Sequence, residues 1–164
     1  MYAYGFSRRR TDDPYTGGWP NSAKWVTLGR VDDSVDAFAD SLSLRLCRAL
    51  LGETVAVIVD RPLGSLHPTA GFAYELNYGF IPGILAPDGE SLDAYVVGCD
   101  TPVTEARGRA IAVVHRLFED DDKLIVATDG FDRGDDVLHR LVAFQESGRP
   151  YRLLRSRSQA RDSA

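Results

Sequence analysis

A chain of 164 residues with 44% hydrophobic and 10% aromatic side chains suits one packed domain and is too short for two comfortable ones. Its 19 Lys+Arg against 24 Asp+Glu give a net charge of −5, so no nucleic-acid partner is expected, whereas a small anionic substrate remains open because carboxylates recruit metal ions that invert the local field. No apolar run approaches the roughly 18 residues of a membrane span, no apolar stretch follows Arg8-Arg9-Arg10 to make a secretory signal, and Cys47 and Cys99 form no disulfide framework, so the expectation is a cytoplasmic protein without membrane contact.

Residues 1 to 32 read as an irregular arm with turn chemistry at Gly17-Gly18-Trp19-Pro20-Asn21 and enough aromatics to pack on the domain or on a second copy. Asp33 to Leu51 reads as a helix. Asp33 or Ser34 can cap it, Val35, Phe38, Leu42, Leu46 and Ala49 recur at steps of three and four, and Gly52 stands at its stop. Thr54 to Val59 is β-branched and predicts a strand. Asp93 to Gly98 reads as a buried strand. Arg109 to Phe118 and Lys123 to Thr128 read as two strands around the acidic turn Glu119-Asp120-Asp121-Asp122. A second helix is expected over Asp135 to Ser147, a short strand over Tyr151 to Leu154, and a loose polar tail from Arg155. Short strands at this spacing suggest a small barrel or sandwich.

Chemistry concentrates in Asp88-Gly89-Glu90-Ser91-Leu92-Asp93, three carboxylates across a glycine turn and into a strand. Like charges so close tolerate each other when solvated or bound to a hard cation such as Mg²⁺. Asp93, flanked by apolar Leu92 and Ala94, is the least decorative of the three. The run Asp120-Asp121-Asp122 before Lys123, taken alone, reads as a solvated hairpin tip. Tyr74 and Tyr78 share a face by alternation, either as phosphate-facing phenols or as core residues with wet hydroxyls.

Together, Tyr74-x-x-Asn77-Tyr78-Gly79-Phe80-Ile81-Pro82, then Asp88-Gly89-Glu90-Ser91-Leu92-Asp93, then Asp121-Asp122-Lys123, resemble the family I soluble inorganic pyrophosphatases over roughly Val55 to Thr128. The resemblance implies an α+β, mainly β fold: an OB-like five-stranded β-barrel flanked by helices, residues 53–154, after an N-terminal arm and packing helix in 1–52 and before the tail 155–164. It implies Mg²⁺-dependent hydrolysis of inorganic diphosphate, with several ions and with Mn²⁺ as a substitute, in a homo-oligomer. Carried over position by position, it makes Asp88, Asp93, Asp121 and Asp60 metal ligands, Glu90 the carboxylate that orients the attacking hydroxide, and Tyr74, Tyr78 and Lys123 phosphate contacts. The chain departs from the pattern in having Glu90 for the middle Asp and Ser91 for the following Pro. An Arg and a C-terminal Tyr-Lys pair of the family have no counterpart here, and Arg61, His67 and Arg149 are the candidate replacements. Two alternatives stand beside this reading: turnover of an organic diphosphate on the same fold, and a non-catalytic relative that binds a phosphorylated ligand.

Overall fold

The computed structural model describes residues 37–155, apart from Asp129 and Asp132. The expected N-terminal arm, the caps at Asp33 and Ser34, and all of the tail beyond Arg155 lie outside the described residues. In chain order the elements are helix α1 (Leu42–Leu50), strands β1 (Thr54–Arg61), β2 (Asn77–Leu85), β3 (Ser91–Val97), β4 (Glu105–Arg116) and β5 (Lys123–Ala127), helix α2 (Asp135–Glu146) and strand β6 (Tyr151–Arg155).

The strands run in the order β1-β2-β3-β5-β4-β6, and β1 also pairs with β4, which closes the first five into a barrel. The result is the mainly β, helix-flanked barrel that the motif resemblance implies. All neighbours are antiparallel except β3 and β5. Closure divides the buried side chains by the two-residue period of a strand. Val55, Val57, Val59, Leu92, Ala94, Val96, Leu124 and Val126 point to one side and meet Leu44 and Cys47 of α1. Tyr78, Tyr95, Val97, Val114, Ile125 and Ala127 point to the other and meet Leu138 and Val142 of α2. Strand β1 has one exposed face and alternates strictly, whereas every residue of β5 is buried.

The first helix differs from the sequence expectation. Residues 37–40 form a turn, and the helix starts after Ser41, whose extended backbone and hydroxyl, accepting from Leu44 N at 3.2 Å, make it the N-cap. The cap is set there by tertiary structure, since the Ser41 and Ser43 hydroxyls both donate to Asp122 Oδ2, at 3.1 and 2.6 Å. Among the described residues, no helix is long and apolar enough to cross a membrane.

Candidate active site

Strand register brings the motif residues together. Because β3 and β5 are parallel and Ala94 pairs with Leu124, Asp93 and Lys123 stand one residue back on adjacent strands, on the α2 side. Tyr78 lies opposite Tyr95, so it points to that same side one step along from Asp93. Arg116 ends β4 two residues beyond Val114, the partner of Lys123, and therefore comes level with Asp121.

The Lys123 ammonium is the centre of the arrangement. The side chain is only 2% exposed, and Nζ donates to Asp93 Oδ2 at 2.9 Å and to Asp121 Oδ1 at 2.8 Å. A buried ammonium is tolerated only with such partners. The Tyr78 hydroxyl donates to the same Asp93 oxygen at 2.5 Å, and Lys123 Nζ lies 5.9 Å from the centre of the Tyr78 ring. Burial, and then the Asp93 charge, push the Tyr78 phenol well above its ordinary pKa, so it stays a neutral donor at physiological pH.

The charge row continues past Asp121. Its Oδ2 accepts from Arg116 Nη1, which also donates to Glu119 Oε2 at 3.0 Å, and Arg149 Nη1 closes on both Glu119 oxygens at 2.7 and 2.9 Å. Behind it, Arg116 makes two parallel bonds to Glu146, Nε to Oε2 at 2.9 Å and Nη2 to Oε1 at 3.0 Å, and Tyr95 donates to Glu146 Oε1 at 2.6 Å. Burial acts to lower the pKa of Arg116, but Glu146, Asp121 and Glu119 outweigh it and hold the guanidinium firmly protonated.

An aromatic row leads away from Tyr78. The Tyr74 ring lies 5.4 Å from Tyr78, and His67 stacks on Tyr74 at 6.0 Å with 19° between planes. His67 Nδ1 accepts from the backbone N–H groups of Thr69 and Ala70, at 3.2 and 2.9 Å, which places the ring proton on Nε2. Burial, with Asp60 and Asp93 adding to it, raises the Tyr74 phenol against the opposing pull of Arg61.

The structure thus gathers Tyr74, Tyr78, Asp93, Asp121, Lys123, His67 and Arg149 along one side of the barrel. Asp60 and Arg61 end β1, where Arg61 Nη1 reaches Asp60 Oδ2 at 3.3 Å near the Tyr74 end of the row. Asp88 is engaged within its own turn, with Oδ1 accepting from Glu90 N at 2.9 Å, and the exposed Glu90 belongs to that turn as well. Arg116, Glu146 and Tyr95 escape a reading by motif because they come from three elements joined only by the fold.

Mg²⁺ is commonly held by one or two carboxylates together with water and phosphate oxygens. Asp93 and Asp121 are hard oxygen donors that both reach the Lys123 ammonium, partly exposed at 35% and 46%, and as a pair their chemistry fits such an ion. Asp60 and Asp88 do not complete a cage with them: among the described residues, no three His, Cys, Asp or Glu side chains gather in a metal-binding cluster.

No protein-family model matches the sequence, and no curated protein matches it. In structure the chain is similar to bacterial inorganic pyrophosphatases. That of Ehrlichia chaffeensis is 21% identical, with 57% of this chain and 80% of the other covered at a TM-score of 0.47. For the Coxiella burnetii inorganic pyrophosphatase the values are 19%, 68%, 91% and 0.46. For that of Neisseria gonorrhoeae they are 25%, 55%, 70% and 0.43.

Proposed function

We propose that the chain is a Mg²⁺-dependent hydrolase that splits inorganic diphosphate into two phosphates. The observation that carries this reading is the Asp93–Lys123–Asp121 bridge with the Tyr78 hydroxyl on the same Asp93 oxygen. It sets two carboxylates, an ammonium and a neutral phenol in contact with one another. That is the donor set a phosphoanhydride anionic on both phosphoryl groups requires, with oxygen donors for a divalent ion and N–H and O–H donors for phosphate oxygens.

Asp93 and Asp121 would hold the ion, with Asp88 and Asp60 as the donors for further ions. Bound there, Mg²⁺ would cancel charge on the diphosphate and lower the pKa of a coordinated water. The chain's own residues supply the rest. Glu90 orients the attacking water toward phosphorus. Lys123 turns its ammonium from the carboxylates to the oxygen of the departing phosphate, where negative charge grows as the anhydride P–O bond breaks. Tyr78, turning its hydroxyl proton from Asp93 as the carboxylate takes up the ion, and Tyr74 donate to the phosphate that stays in place. His67, through its Nε2–H, and Arg61 take the far phosphate.

Lys123→Met tests the assignment, because it keeps the length of a buried side chain and removes only the ammonium. Turnover is expected to fall by about 100- to 1,000-fold, as for loss of one transition-state donor, with the far-ultraviolet circular dichroism of the barrel retained. A folded variant with wild-type turnover would contradict the role of Lys123.

A further inference from the structure

Glu146 is the last residue of α2 and is fully buried. Both facts are unfavourable for a carboxylate: the negative end of the helix dipole lies there, and burial removes its hydration. A side chain kept against two local costs points to a tertiary role. Its partners define that role. Its two oxygens take the parallel bonds from Arg116, itself 4% exposed, and the Tyr95 hydroxyl fixes one of them. The remaining nitrogen of Arg116 faces Asp121 and Glu119.

From this geometry we infer that Glu146 is a positioning residue that neutralises Arg116, so that Asp121 presents its full charge to the cation and the substrate. The inference rests on the functional reading above. Without Glu146, a buried guanidinium in contact with Asp121 has, among the described residues, Asp121 and the partly exposed Glu119 as counter-ions, and it competes with any divalent ion for that carboxylate. Glu146 touches neither ligand position, so its effect passes through Arg116.

The test is Mn²⁺ binding to the full chain without substrate, read by electron paramagnetic resonance or calorimetry, together with thermal unfolding. Glu146→Gln is expected to weaken Mn²⁺ binding by about 10- to 100-fold, the range for loss of a residue supporting a metal ligand. The double variant Glu146→Gln/Arg116→Gln, which removes both buried charges, is expected to restore wild-type affinity. If the single variant does not fold, the double variant decides alone, since weakened Mn²⁺ binding in it would overturn the inference. A folded Glu146→Gln chain that unfolds at lower temperature and binds Mn²⁺ like wild type would also overturn it, leaving Glu146 a purely structural residue. A wild-type chain that takes up no Mn²⁺ would instead overturn the functional reading, and this inference with it.

Discussion

Glu90 is the position where the motif is most altered relative to the family it resembles. It sits in the exposed β2–β3 turn, whose backbone is set by the Ala86 N to Glu90 O bond at 2.7 Å and by Asp88 capping Glu90 N. With the turn held this way, the extra methylene of Glu relative to Asp moves the carboxylate by about 1.5 Å, a displacement that matters for aligning a nucleophile. Glu90→Asp should therefore keep or raise the rate of diphosphate hydrolysis, measured as phosphate release at saturating Mg²⁺. A folded but inactive Asp variant would show that the longer side chain is required. At this scale much of the site was legible. Tyr74, Tyr78, Asp93 and Lys123 each stand in a short motif visible in the sequence, but their contacts span 15 and 30 positions and are made by strand pairing. Asp88 was legible as a turn residue, but its side chain satisfies its own turn.

The acidic run before β5 shows what an element decides and a sequence run does not. Read alone, Asp120-Asp121-Asp122 is a solvated tip, yet entry into β5 sends consecutive residues to opposite faces of the sheet. Asp121 joins Lys123 and Arg116 on the α2 side. Asp122, 1% exposed, turns to the α1 side, where it accepts from Ser41, Ser43, the backbone N of Arg116, and His115 Nδ1 at 2.7 Å. Through Asp122, the start of α1 is tied to the strand ends that carry the site. The expected long helix is interrupted by the turn at residues 37–40, and the cap observed at Ser41 is set by a partner about eighty positions away. Asp122→Ala should cost about 3–5 kcal/mol, because it removes the buried acceptor shared by His115, two hydroxyls and the Arg116 backbone N–H. Chemical denaturation gives the value, and a loss below 1 kcal/mol would contradict the tie.

For the whole molecule, barrel closure determines what the strands can carry. Strand β4 is crossed by β1 at Val55↔Gly108 and by β5 at Arg109↔Ala127, so three strands crowd one point. A Cβ at Gly108 would lie 2.2 Å from Ala127 O, and one at Gly79 would lie 1.8 Å from Ile58 O. Neither glycine has the left-handed backbone of a turn; both are required by close approach of a neighbouring strand. Gly108→Ala should destabilise the fold by about 3 kcal/mol, read as a lowered unfolding midpoint, and a neutral effect would mean the seam can open. Strand β1 was legible because alternating apolar residues at Val55, Val57 and Val59 state their own period, whereas β2 (Asn77–Leu85), with mixed aromatic, glycine and proline positions, was not read as a strand. Closure itself was not, since β1–β4 and β3–β5 pairing joins segments that share no local signal; there the resemblance supplied what periodicity could not.

Phosphate release from inorganic diphosphate by the full chain, with Mg²⁺ and again with excess chelator, beside nucleoside and isoprenoid diphosphates, tests the central claim most directly. The account predicts release from inorganic diphosphate that requires Mg²⁺ and stops with chelator. Absence of release from inorganic diphosphate in Mg²⁺, whether or not an organic diphosphate is turned over, would contradict it.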